Sequence, residues 1–102
     1  MGIKFEFICS KCGYTAEVSG GRDCGMEATT RTMACDKCNT VSDVCIGRFG
    51  KEGPSGDPAY DKRLNRCPEC HNRSIQPWPR QHPCPKCGTR MAKKRNSFIM
   101  WD

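Results

Sequence analysis

The chain has 102 residues, of which 36% are hydrophobic, with ten cysteines and a formal net charge of +6. That apolar share is below the roughly 45–50% of an average domain, and modules of about 40 residues bury too little surface to fold on a core alone, so another stabiliser is needed. No stretch approaches the ~20 apolar residues of a membrane span, and the N-terminus (Met1 to Ile8) sets Lys4 and Glu6 among its apolar residues; neither a membrane association nor a secretory signal is expected, which places the chain in the reducing cytoplasm.

A first module is expected over residues 1–46. Ile3, Phe5 and Phe7 alternate with Lys4 and Glu6, the period of a half-buried strand. The turn Cys9-Ser-Lys-Cys12-Gly13 follows, and Gly13 stands where a tight metal knuckle needs positive φ. Tyr14 to Val18 can return as the second strand of a hairpin, and Ser19-Gly20-Gly21 reads as a turn. Thr29 to Ala34 is rich in β-formers and leads into Cys35-Asp-Lys-Cys38; Val41 to Val44 leaves it as another strand.

Residues 47–62 hold four glycines and two prolines, which argues for a linker or a functional loop rather than a regular element. A second module is expected over residues 63–102. It opens on Cys67-Pro-Glu-Cys70, offers Ser74 to Gln76 as a short strand before Pro77-Trp78-Pro79, and closes its site with Cys84-Pro-Lys-Cys87-Gly88. The stretches 89–95 and 97–102 flank Asn96, read as a hairpin turn residue. No convincing amphipathic helix is found.

The four Cys-x-x-Cys pairs carry most of the information. Each sends two thiols from one turn toward a common centre, and a tetrahedral metal takes four such ligands. Chain order predicts two independent sites, Cys9/Cys12/Cys35/Cys38 and Cys67/Cys70/Cys84/Cys87, one per module. The stretches Cys9-Ser-Lys-Cys12-Gly13-Tyr14 and Cys84-Pro-Lys-Cys87-Gly88 resemble the knuckles of zinc ribbon and rubredoxin-like proteins. The resemblance implies a small, metal-stabilised, mostly β fold: two tandem zinc ribbons of short antiparallel hairpins. The second knuckle, Cys35-Asp-Lys-Cys38-Asn39, departs from the Cys-Pro-x-Cys-Gly of rubredoxins, so Zn²⁺ at two sites is chosen over iron. Zinc accepts four thiolates and supplies folding free energy, and a closed four-cysteine site leaves no position for a catalytic water. With no phosphate loop and no nucleophile–base set in sight, an enzyme is not expected. Cys24 and Cys45 are left over and are read as ordinary thiols; His71 and His82 are read as surface residues beside a complete site.

Residues 1–46 hold five Lys/Arg against six Asp/Glu, whereas residues 47–102 hold twelve against five, a net +7. Two Zn(Cys)₄ centres at −2 each lower the total, yet the C-terminal half stays basic. Arg73, Arg80, Arg90, Lys93, Lys94 and Arg95, with Trp78, are the candidate nucleic-acid contacts, cations for phosphates and a ring for bases. Trp101 is expected in the core. The function expected is therefore a non-enzymatic double zinc-ribbon module that docks on RNA, DNA or a nucleic-acid-handling complex. The alternatives are a protein-docking adaptor or accessory subunit and a rubredoxin-like iron electron carrier.

Overall fold

A computed structural model describes residues 2–101, without the side chains of residues 95–97. Among the described residues, seven strands form two antiparallel sheets, and one short helix lies between the fifth and sixth strands in the chain. The first sheet has the order β2-β1-β7, from β1 (Gly2–Ile8), β2 (Thr15–Val18) and β7 (Ala92–Trp101). The second is built on β4 (Ala28–Cys35), paired along one edge with β5 (Thr40–Arg48). Its other edge is shared by β3 (Arg22–Cys24) and β6 (Ile75–Pro77), which pair with its first and last residues in turn.

The two hairpins expected within residues 1–46 form. β1 turns at the first cysteine pair and returns as β2, with Ile8 opposite Thr15. β4 turns at the second pair and returns as β5, with Cys35 opposite Thr40. Their β-branched residues suit this: Val18, Val41 and Val44 are buried, and Thr29 and Thr32 hide their hydroxyl groups in hydrogen bonds.

Both sheets also recruit strands from the C-terminal segment. β7 pairs with β1, setting Ile8 against Ala92 and Phe5 against Phe98. β6 pairs with β4, setting Cys35 against Ile75, and the Trp78 amide extends that ladder to the Thr32 carbonyl. Asn96, expected to make a hairpin turn, lies within the continuous strand β7. The register slips there: the step from Phe5 to Phe7 on β1 is matched by a step from Lys93 to Phe98 on β7. The extra residues are absorbed as a bulge rather than a reversal.

The main core mixes both halves of the chain. Phe7, Val18, Val41, Trp78 and Met91 pack with Cys9 and Cys84. Trp78 meets Phe7 edge-on at 5.2 Å and stacks on His82 at 4.4 Å. A smaller cluster of Met33, Val44 and Ile46, with Ile75, lies under the second sheet. Asp43 ties the sheets together: its side chain, 3% exposed, accepts from the Ser19 amide and hydroxyl and from the Thr32 hydroxyl.

The 47–62 segment is an ordered loop. Gly53 donates to the Ile46 carbonyl, Tyr60 donates its hydroxyl to the Gly47 carbonyl, and the Asp61 carboxylate gathers Ser55 and Gly56. It contains the single-turn helix α1 (Pro58–Asp61), capped by Asp57 and burying no residue. Gly47 is required here, because a Cβ would lie 1.9 Å from the Lys51 carbonyl oxygen.

Candidate metal centres

Each Cys-x-x-Cys pair is held by one local design. In three knuckles the amide of the first cysteine bonds a carbonyl five residues on, and its carbonyl accepts an amide four residues on: Cys9 with Tyr14 and Gly13, Cys67 with Asn72 and His71, Cys84 with Thr89 and Gly88. In all four, the residue after the second cysteine has positive φ: Gly13 at 80°, Asn39 at 50°, His71 at 60° and Gly88 at 81°. That left-handed residue ends the turn and aims both thiols the same way. The first cysteine of every pair is buried; Cys12, Cys70 and Cys87 are exposed and Cys38 is half-buried.

All eight cysteines gather into two clusters, but not in the sets that chain order predicts. Cys9 and Cys12 join Cys84 and Cys87; Cys35 and Cys38 join Cys67 and Cys70. Ligands of the first and last knuckles form one site, nested around the site of the two middle knuckles. The strand pairings cause this. β7 on β1, with the Pro83–Arg90 bridge before it, carries Cys84 to Cys9. β6 on β4, with the Asp36 amide on the Ser74 carbonyl, carries the Cys67 turn to Cys35.

The sulfur spacing tests the fit to a metal. Cys9 and Cys87 are 3.5 Å apart, as are Cys12 and Cys84. In the other cluster Cys35–Cys70, Cys38–Cys67 and Cys38–Cys70 are 3.6, 3.4 and 3.8 Å apart. Four sulfurs at about 2.3 Å from a central ion stand about 3.8 Å apart in a tetrahedron, so each cluster has the dimensions of a closed tetrathiolate site. All ten cysteines are free, and a disulfide would demand about 2.05 Å.

The thiols within each cluster are not equivalent. Cys87 is lowered to about 6 by hydrogen bonds from the Thr89 hydroxyl and amide. Cys35, although burial opposes its charge, is lowered to about 7 by the Cys38 and Lys37 amides. Cys12 is assisted by the Tyr14 amide but is pushed up to about 12 by sharing a proton with Cys84 and by its other sulfur neighbours. A cation bound in either cluster must displace thiol protons.

Cys24 and Cys45 belong to neither cluster. Cys24 lies 3.5 Å from the Thr29 hydroxyl, and its pKa is lowered by that group and the Gly50 amide. Cys45 lies 3.5 Å from the Tyr60 hydroxyl. His71 is the left-handed residue of its knuckle, and His82 bonds the Gly20 carbonyl beneath Trp78.

The candidate nucleic-acid residues divide. Arg73, Arg80, Arg90, Lys93 and Lys94 are exposed. Arg90 and Lys93 line one shallow depression with His82 and Met91. Lys94 pairs with Glu6 at 3.6 Å. Trp78 is a correction: it is 7% exposed, and its indole N–H donates to the Pro83 carbonyl, so it cannot stack on a base. Flanking prolines hide, at the level of sequence, the strand that carries it into the core. The Arg95 side chain lies outside the described residues. Sequence reasoning missed the exposed end of an apolar sheet face whose other end, at Phe7 and Val18, is core. Phe5 and Phe98 are cross-strand partners, so they share a face with Ile3 and Met100; Phe98 is 60% exposed, and the Lys93 ammonium lies 3.9 Å from the Phe5 ring centroid. The alternation in β1 shows that face, but the reach of β7 does not show in local sequence.

No helix among the described residues is long and apolar enough to cross a membrane. No protein-family model, no curated protein and no solved structure matches this chain. The chain is a small, antiparallel, mostly β protein with two four-cysteine groups placed to hold metal ions.

Proposed function

We propose that the protein is a zinc-stapled, non-enzymatic module that binds single-stranded nucleic acid on the β1–β7 face. The observation that carries this is the open Phe98 ring beside a cation fixed on its cross-strand partner. A base has a ring to stack on, Lys93 lies over the neighbouring Phe5 ring, and Arg90 lines a depression with Lys93 further along the sheet, for the flanking phosphates. Zinc is favoured as the metal because four thiolates close the coordination sphere and the small core needs a structural ion. Colourless protein with two zinc atoms per chain would support that assignment; the absorption of ferric thiolate would return the iron electron carrier.

The test is the affinity of labelled RNA and DNA, single-stranded and duplex, across a salt series. Binding should favour single strands and weaken as salt rises. Phe98→Ala should weaken it by about 1–3 kcal/mol, the worth of one stacked base. Lys93→Gln should reduce the salt slope by about one phosphate contact. No binding at low salt would overturn the proposal. The adaptor reading would then lead, supported by the exposure of Ile99 and Met100 on the edge strand β7, where a partner strand can add.

A further inference from the structure

We propose that a second site, the cleft between β5 and the Cys67–Cys70 turn, binds a phosphate ester. This goes beyond strand binding on the β1–β7 face and does not depend on it. The cleft encloses about 520 Å³, within the usual range of small-ligand sites. Lys62, Arg63, Arg66 and His71 surround it, over an apolar floor that includes Val44 and Pro68.

Three cations converge on one cleft, with Arg63 5.6 Å from the centroid of the Tyr60 ring. Elsewhere Lys4, Arg22, Arg48 and Lys94 each pair with a carboxylate. Among the described residues none of Lys62, Arg63 and Arg66 does. Asp43 also lines the cleft, but its side chain is 3% exposed and its oxygens are engaged by Ser19 and Thr32. Arg66 is fixed in place: its Nε donates to the Lys62 carbonyl at 2.7 Å and its Nη1 to the His71 carbonyl at 3.2 Å. A guanidinium held by two of its five N–H groups presents the others in a rigid fork, the geometry that recognises phosphate. His71 keeps a side chain at a left-handed position that two of the other knuckles give to glycine, so an imidazole stands at the rim at some conformational cost.

The ligand implied is an anionic phosphate head on an apolar or flat body. A free nucleotide and the 5′ end of a strand both offer that chemistry. The cations have a competing use, since a tetrathiolate metal centre beside Cys67 is itself anionic, and the test separates the two. The metal-loaded protein is titrated with adenosine 5′-monophosphate, with adenosine, and with an oligonucleotide with and without a 5′ phosphate, while backbone amide resonances are followed.

The monophosphate should shift Lys62, Arg63, Arg66 and His71 saturably, and adenosine should not. The double variant Lys62→Gln/Arg63→Gln should lose about tenfold or more in affinity and keep both metals. Saturation of the same amides by the 5′-phosphorylated oligonucleotide, but not by its unphosphorylated form, would identify a strand end as the source. Binding of the monophosphate alone would identify a free nucleotide. The proposal is overturned if these amides do not respond up to about 10 mM monophosphate. It is equally overturned if adenosine matches the monophosphate, or if the double variant sheds metal while monophosphate affinity is unchanged.

Discussion

Asn39 and His71 occupy the left-handed position that glycine holds in the other two knuckles. Asn39→Ala should therefore destabilise the protein by about 1 kcal/mol, whereas Asn39→Gly should be neutral or stabilising; denaturant melts of the metal-loaded protein measure both. Asp43 has a different role. Asp43→Ala leaves the Ser19 and Thr32 donors without their acceptor, at about 1–3 kcal/mol for each group left unpaired, and should loosen the junction between the sheets. At the metal centres the depressed thiols set the pH response. Cys87, near 6, and Cys35, near 7, favour the thiolate above those values and lose it as pH falls through them. Metal affinity of the reduced chain should fall on acidification, with protons released on binding, and fall more steeply once pH passes below that window, where these two thiols also hold protons that the metal must displace. A stopped-flow or equilibrium metal titration at stepped pH values reads this directly.

Among the elements, the knuckles and the two hairpins around them were legible in the sequence. Their cause is local: alternation in Ile3-Lys4-Phe5-Glu6-Phe7, β-branched runs around Cys35, and a turn residue after each second cysteine. The partners of β6 and β7 were not legible. Both pair with strands more than 30 residues away, and nothing within a short window says which edge they choose. Trp78 was misplaced for the same reason, as its burial depends on β6 adding to β4. The Gly/Pro-rich segment, expected to hold no regular element, takes in the end of β5 and the single-turn α1, and its order comes from specific hydrogen bonds that composition does not reveal. Gly47 is the sharpest of these constraints. Gly47→Ala must push the Lys51 carbonyl away and open the turn against β5, at about 1–3 kcal/mol. Amide exchange of Gly53, which bonds the Ile46 carbonyl, should quicken in that variant and stay slow in Cys24→Ala.

At the scale of the whole molecule, the nested ligand sets make the two halves of the chain depend on each other. One site closes the chain from residue 12 to residue 84, the other from 38 to 67, and the main core draws on both halves. An ion held in either group would close a long loop, so its binding free energy, about 10–16 kcal/mol were it a structural zinc, would go into the joint fold. Separately produced fragments 1–46 and 63–102 should each fail to give a dispersed amide spectrum with zinc, and mixing them should restore one. Cys84→Ser should disturb β1 as well as β7, since Cys84 packs with Phe7 and Cys9. The most direct measurement is ¹¹³Cd substitution followed by metal-to-cysteine coupling spectra. One cadmium resonance should couple to the β protons of Cys9, Cys12, Cys84 and Cys87, and the other to those of Cys35, Cys38, Cys67 and Cys70. Coupling of a single cadmium to Cys9, Cys12, Cys35 and Cys38 would contradict the nested arrangement and everything built on it.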